Sequence, residues 1–219
     1  MRVRVVYQKG DLVRFLSHLD VMRVLVMAMA RAKWPVQMSL GFSPKPKVSF
    51  YAPLPVGTSG REEYFDAILS RAVNVSCLAR SLSGSLPKGF GVSQVFLVPD
   101  GQESLEEKIV ASVYALDLKG VERQAMSRAV DAFLKEERVL FQVRRPKDTR
   151  TVDLRGYVRD FCVEAEKGLR DDHLGLVMTV THDKGRTIRP QWVLSALSRF
   201  GLNLDPLEAI IDRRKILFD

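Results

Sequence analysis

Cysteine and histidine are scarce in this sequence of 219 residues. The two cysteines, Cys77 and Cys162, lie far apart, which excludes a disulfide scaffold and any metal or cluster site built from cysteines alone. The three histidines are His18, His173 and His182, and no two of them have the short spacing typical of zinc ligands. We therefore expect neither a metal site nor a bound cofactor.

Long apolar runs are also missing. No segment approaches the roughly 20 apolar residues of a membrane span, and the longest candidate, residues 21–30, is interrupted by Arg23. The first residues, MRVRVVYQ, alternate in polarity and do not form the apolar core of a signal peptide. These absences predict a cytosolic protein without membrane contact.

The common catalytic motifs are absent as well. The sequence contains no phosphate-binding P-loop, no Rossmann glycine fingerprint, no nucleophile elbow and no metal helix with two histidines and a glutamate. No reaction can be derived from motifs, so functional hypotheses must come from charge, fold and local clusters.

Acidic residues are few in two stretches of a chain whose net charge is +8. Residues 1–60 carry nine lysines and arginines against two aspartates, and residues 138–159 carry seven against two. Basic excess concentrated in this way is typical of surfaces that bind phosphate backbones. It favours RNA as a partner, although a soluble basic protein without such a partner has the same net charge.

The order of predicted elements indicates a mixed α+β fold. Alternation over residues 2–8 predicts a strand, and the apolar helix that follows is predicted to start at Ser17, with Asp20 completing a capping box. A β-α-β-β-α-β order occurs in each half of the chain, and the turn residues 99–102 separate the halves. Residues 36–40 are predicted as a short strand and residues 145–150 as a basic loop.

We therefore expect two tandem ferredoxin-like domains with antiparallel sheets, over residues 1–100 and 101–219. In each domain two helices would cover one sheet face and leave the other free to bind. The rival architecture is one large α+β domain with a continuous sheet.

The loop of residues 41–47 (GFSPKPK) is the strongest local signal. Gly41 allows close backbone approach to a phosphate, Lys45 and Lys47 supply positive charge, and Phe42 could stack on a base. The alternative is a rigid turn with solvated lysines and a core phenylalanine.

A second basic cluster contains Arg144, Arg145, Lys147 and Arg150, with Arg155 following. These residues could clamp phosphates or dock a partner. Alternatively, Asp153 pairs with neighbouring arginines and the cluster braces the fold internally.

His18 lies in the first turn of the predicted helix, where the positive helix end lowers its pKa and keeps the imidazole neutral. A neutral imidazole suits a general base. The alternative is a histidine bonded to the backbone beside the cap, because the sequence fixes no second acid or base near it.

Several of these segments resemble the signature of the bacterial radical-SAM-linked proteins. They are residues 14–20 (RFLSHLD), 35–36, 41–50 (GFSPKPKVSF), 53–57 (PLPVG), 144–147 (RRPK), 152–155 (VDLR) and 189–190. The chain departs from the pattern at Leu40, Ser43 and Lys45, where glutamine, asparagine and histidine are common. The departure at Lys45 argues against a role that needs a histidine in the loop.

The resemblance implies a partner, since members of that family are fused to or encoded beside a radical SAM enzyme. This chain lacks the three-cysteine cluster motif and would be the accessory half. The favoured hypothesis is an RNA-binding accessory protein for tRNA or rRNA modification. The alternatives are a metal-independent RNA endonuclease with His18 as general base, and a protein-interaction module that docks the radical SAM partner.

Overall fold

The computed structural model describes residues 1–99, 101–145, 148–167, 173–183, 185–202 and 204–219. The chain divides into two compact units, Met1–Lys108 (unit 1) and Ile109–Asp219 (unit 2). Each unit contains helices and antiparallel strands, which confirms the mixed α+β class.

Unit 1 is built on antiparallel strand pairs. Its elements are β1 (Arg2–Lys9), α1 (His18–Arg31), β2 (Val48–Phe50), β3 (Thr58–Ile68), α2 (Val75–Ser83), β4 (Phe90–Val98) and α3 (Leu105–Lys108). Strand β1 lies between β4 and β3. Ala67 of β3 pairs with both Val3 of β1 and Val48 of β2, so β2 lies on the other edge of β3.

Helix α1 begins where the sequence predicted a cap. Ser17 has an extended backbone and its hydroxyl accepts a hydrogen bond from the Asp20 amide. The same hydroxyl donates to the Asp20 carboxylate at 2.6 Å. The cap satisfies the Asp20 amide, one of the amide groups that the first helical turn leaves unpaired, and the bond to the carboxylate holds the Ser17 hydroxyl in place.

The core of unit 1 lies between the sheet and helices α1 and α2. It is formed by the apolar side chains Val3, Val5, Tyr7, Val21, Leu25, Ala28, Met29, Phe65, Ala67, Leu78 and Leu82. The helix residues recur at three- and four-residue intervals, and the strand residues alternate. These periods are the ones from which both element types were predicted.

The opposite face of β1 differs from expectation, because it is not free for binding. Arg4 is only 5% exposed and Asp66, its partner on β3, is 3% exposed. The Arg4 Nε and Nη2 groups donate to the two Asp66 oxygens at 2.7 and 2.9 Å, and the Tyr51 hydroxyl donates to Asp66 at 2.9 Å. A buried ion pair with its hydrogen bonds satisfied occupies this face.

Unit 2 combines a four-stranded antiparallel sheet with a separate hairpin. Its elements are β5 (Ile109–Lys119), α4 (Arg123–Lys135), β6 (Leu140–Arg145), β7 (Asp148–Asp153), β8 (Val158–Lys167), β9 (His173–Thr181), α5 (Pro190–Ala196) and β10 (Ile210–Phe218). The sheet order is β10-β5-β9-β8, and β6 pairs with β7.

Phe133 of α4 lies in the core of unit 2, fully buried. Its ring meets Phe161 and Phe200 edge to face, with centroid distances of 6.4 and 6.1 Å. The surrounding apolar residues come from α4, α5, β5 and β9. Helices on the sheet therefore define one packed layer, as predicted for this half.

Two local predictions were wrong. Residues 36–40 form no strand and make only isolated bridges, from Val36 to Leu69 and from Met38 to Pro46. Strand β7 was predicted as part of a basic loop, because its sequence, DTRTVD, has little of the apolar alternation that marks a strand.

The helices among the described residues are too short or too polar to cross a bilayer.

Candidate nucleic-acid interface

Hydrogen bonds within the loop between α1 and β2 hold this loop as a narrow hairpin. The Ser39 amide donates to the Lys45 carbonyl at 2.7 Å, and the Lys45 amide donates to the Ser39 hydroxyl at 2.9 Å. Closer to the sheet, the Lys47 amide donates to the Gln37 carbonyl at 2.8 Å. We call residues 37–47 the basic hairpin.

The tip of the basic hairpin presents apolar side chains to solvent. Phe42 and Leu40 are both fully exposed, on either side of Gly41. Gly41 has a φ of +120°, a conformation that side-chain-bearing residues rarely adopt. The alternative of a core phenylalanine is therefore wrong for Phe42, whereas the exposed position is the one that stacking on a base requires.

Positive charge accompanies this apolar tip. Lys45 is exposed next to the tip, and Lys47 is half-buried at the base of the hairpin. Residues 21–60 contain no aspartate or glutamate. The electrostatic field of the two lysines is therefore not cancelled by acidic neighbours in the sequence, and it favours an anionic ligand.

Leu40 was noted in the sequence as a departure from the family pattern, but its exposure was not predicted. A leucine before a glycine in a short segment is compatible with a buried strand end, and local pattern cannot distinguish that case from an exposed tip. Its exposure follows from the fold, because the hydrogen bonds at Ser39 turn the chain before Leu40 can reach the core.

The second basic cluster lies in unit 2 and is only partly described. Arg144 is exposed on β6, opposite Thr149 of β7. Arg145 ends β6, but its side chain lies outside the described part of the structure, and Lys147 lies outside the described residues altogether. A phosphate clamp formed by these residues stays a prediction.

Arg155 has bonding that fits internal bracing. Its Nε donates to the Leu134 carbonyl at 3.1 Å and its Nη1 donates to the Val158 carbonyl at 2.8 Å. Asp153 accepts from the Val139 and Arg155 amides through one oxygen, at 3.0 and 3.2 Å. These contacts join the ends of α4, β7 and β8.

His18 packs against the strand that follows the basic hairpin. Its ring meets Phe50 edge to face with a centroid distance of 5.9 Å, and Phe50 stacks on Phe65 at 5.1 Å. Burial, and secondarily the charge of Lys9, lowers the pKa of His18, so the imidazole is neutral at pH 7. A neutral imidazole can accept a proton, but the contacts of His18 in the structure are those of a packed aromatic ring.

His182 in unit 2 is a second histidine held neutral. Its Nε2 lies 2.9 Å from the hydroxyl of Ser112, which is fully buried on β5. Burial, and secondarily the charge of Arg213, lowers the pKa of His182 to about 4. Among the described residues, no group of three or more histidine, cysteine, aspartate or glutamate side chains could hold a metal ion.

Comparison with known proteins places the chain in a family. A family of uncharacterized proteins conserved in bacteria, DUF2344, matches residues 2–190, and the chain belongs to it. This confirms that the chain belongs to a bacterial family, and the matched range includes all the segments noted in the sequence. No curated protein matches the sequence.

One solved structure similar to the chain is a component of the crystal structure of a Cbf5-Nop10-Gar1 complex. The identity is 9% and the TM-score is 0.50, over 98% of this chain and 48% of that one. The chain thus spans about half the length of this structural relative. At this identity the similarity concerns the fold alone.

Proposed function

We propose that this protein binds RNA through the basic hairpin and acts as an accessory to a radical SAM enzyme in tRNA or rRNA modification. The observation that carries the proposal is the fully exposed Phe42 beside Lys45 on a loop pinned by hydrogen bonds. An exposed aromatic ring next to positive charge suits a single-stranded nucleotide, because the base can stack while the lysines approach its phosphates.

We further propose that both units are ferredoxin-like domains. The strand order β4-β1-β3-β2 of unit 1 and the order β10-β5-β9-β8 of unit 2 support this, as does the placement of a helix after the first and third strands of each sheet. In unit 2 the β6–β7 hairpin would then be an insertion between α4 and β8.

The loop lysines are expected to set the salt dependence of RNA binding. Replacing Lys45 and Lys47 by alanine removes two positive charges, so the slope of log K against log salt should become shallower by roughly 1.4 to 1.8. Phe42→Ala should weaken binding by about 1–3 kcal/mol without altering the slope, because stacking releases no counterions. Fluorescence anisotropy with labelled tRNA at several salt concentrations measures both quantities.

A matched control removes the same charge elsewhere in unit 1. Arg71 and Lys88 are exposed and lie outside the basic hairpin, so the Arg71→Ala/Lys88→Ala variant should retain the parental slope. Equal slopes for the parent and the Lys45→Ala/Lys47→Ala variant, with both folded, would show that the basic hairpin does not contact RNA phosphates.

Incubating the parent with RNA and a chelator tests the endonuclease alternative, which requires cleavage that disappears in His18→Ala.

Docking of the radical SAM partner is proposed on exposed apolar residues around the start of α1. Leu12, Phe15 and Leu19 are 82%, 68% and 62% exposed, and the Arg14 guanidinium lies 4.8 Å from the Phe15 ring centroid. Large apolar side chains grouped on a surface are typical of protein contacts.

The Phe15→Ser/Leu19→Ser variant should therefore recover at least about tenfold less radical SAM enzyme in a nuclease-treated pull-down. Leu207, 87% exposed in unit 2, provides the control variant Leu207→Ser, which should recover the parental amount. Recovery that depends on RNA, or that is the same for all variants, argues against this docking surface.

A further inference from the structure

A small cavity in unit 2 lies between the β6–β7 hairpin and the segment leading into α5. Its volume is about 50 Å³, and its lining includes Arg150 and Val143 from the hairpin and Arg186 and Trp192 from the other side. Since a cavity needs roughly 10–15 Å³ to hold one water, it has room for about four water-sized atoms. We call it the Arg150–Arg186 pocket.

The hairpin register explains why Arg150 faces this pocket. Val143 pairs with Arg150 and Phe141 pairs with Val152, so these four residues share one face of the hairpin. Phe141 and Val152 pack against the core of unit 2. Arg150 therefore projects at the open end of the face that anchors the hairpin, whereas Arg144 lies on the other face.

Among the residues that the structure describes, neither arginine of the pocket has an acidic partner. Both Arg150 and Arg186 are exposed, and within the described ranges neither has a carboxylate within 4 Å. The backbones of Asp183 and Arg186 exchange two hydrogen bonds of 2.8 Å, but no ion pair joins their side chains. Uncompensated guanidinium groups around one small cavity attract an anion and can bind it through paired N–H groups.

Trp192 shapes the pocket and does not offer a stacking surface. Its ring lies nearly parallel to Phe141 at a centroid distance of 6.3 Å, and the Arg189 guanidinium lies 5.7 Å from the ring centroid. Contacts with these two neighbours leave little ring surface for a base. The pocket therefore matches a compact anion with a few oxygens and not a nucleobase.

We propose that the Arg150–Arg186 pocket binds a phosphate monoester. Such a group carries between about 1.5 and 2 negative charges at pH 7 and three terminal oxygens, which suit two guanidinium groups around a cavity of this size. A phosphodiester inside a chain carries one charge and needs an exit on both sides. The monoester could belong to the 5′ end of an RNA or to a free nucleotide.

Trp192 fluorescence provides a direct test. The chain has two tryptophans, so Trp34→Phe leaves Trp192 as the reporter. The full-length Trp34→Phe protein is titrated with adenosine monophosphate, with a 5′-phosphorylated RNA trinucleotide and with the same trinucleotide bearing a 5′-hydroxyl. Phosphorus NMR of adenosine monophosphate with the unsubstituted protein gives the same information if Trp34→Phe does not fold.

The expected result is a saturable signal with the phosphorylated probes and at least about tenfold weaker binding of the 5′-hydroxyl trinucleotide. Arg150→Gln/Arg186→Gln should weaken phosphate binding by about tenfold or more, since each charged hydrogen-bond donor contributes substantially. Arg128→Gln, on the exposed side of α4, should leave it unchanged. Tighter binding of the phosphorylated trinucleotide identifies an RNA end as the ligand, and tighter binding of adenosine monophosphate identifies a free nucleotide.

Three results would contradict phosphate binding in the Arg150–Arg186 pocket. They are the absence of a saturable signal with any phosphorylated probe, equal affinity for the 5′-phosphorylated and 5′-hydroxyl trinucleotides, and equal losses of phosphate affinity in Arg128→Gln and Arg150→Gln/Arg186→Gln. The inference does not depend on the basic hairpin. If the protein binds adenosine monophosphate in the pocket but shows no RNA binding through the basic hairpin, the pocket is supported and the proposed function is contradicted.

Discussion

Replacing Asp66 by alanine is expected to lower the free energy of unfolding by about 3–5 kcal/mol. The substitution leaves the Arg4 guanidinium, whose side chain is only 6% exposed, without its carboxylate partner. It also removes the acceptor of the Tyr51 hydroxyl. Most of the loss is thus the penalty of an unpaired buried charge and an unpaired hydroxyl, and urea denaturation measures it.

Two controls separate burial from charge. Asp11→Ala breaks the ion pair between Arg14 and Asp11, whose aspartate side chain is 70% exposed, and should cost less than about 1 kcal/mol. Arg4→Met/Asp66→Leu replaces the buried pair by apolar groups and should recover much of the stability lost in Asp66→Ala. A loss in Asp66→Ala as small as that in Asp11→Ala would contradict the buried pair.

Acidification is expected to destabilise unit 2 through His182. The folded-state pKa of about 4 lies below the ordinary value of 6.5, so the unfolded chain binds the proton first as pH falls. The stability associated with neutral His182 is present above pH 6.5 and is lost as pH falls towards 4. The full difference corresponds to at most about 3 kcal/mol, and solvent screening at the partly exposed His182 ring reduces it.

His182→Gln isolates this effect because glutamine stays neutral and can still bond the Ser112 hydroxyl. Between pH 6.5 and 4 the stability of the variant should depend less steeply on pH than that of the parent. Urea denaturation at half-unit pH steps measures the two slopes. Parallel curves for parent and variant would show that His182 takes up its proton equally in the folded and unfolded states.

The parts of the fold that were predicted correctly are those with strong local periodicity. Strand β1 and helix α1 have clear alternating and helical patterns, and the Ser17–Asp20 cap lies within four residues. Strand β7 was missed because its pairing with β6 and its packing against the rest of unit 2, and not a pattern in its own sequence, make it a strand. Its Val152 contacts the core of unit 2, but one apolar residue is too little for a pattern.

The polar contacts were largely beyond prediction, because they join residues far apart in the sequence. Arg4 and Asp66 are 62 positions apart, and Arg4 belonged to the strand face expected to be open. Arg150, Arg186 and Trp192 meet only because the β6–β7 hairpin folds against the segment before α5. In contrast, Phe42, Lys45 and Lys47 lie within one loop, so their proximity was evident from the sequence.

Ultraviolet crosslinking of the full-length protein to cellular RNA, followed by mass spectrometry of tryptic peptides, tests the central claim most directly. Cleavage after Lys33 and Lys47 releases residues 34–47 as one peptide that carries Phe42 and the tip of the basic hairpin. The proposed function predicts RNA attached to this peptide, with loss of the crosslink in Phe42→Ala. A protein that crosslinks no RNA, or crosslinks it only through other peptides, would contradict the proposal.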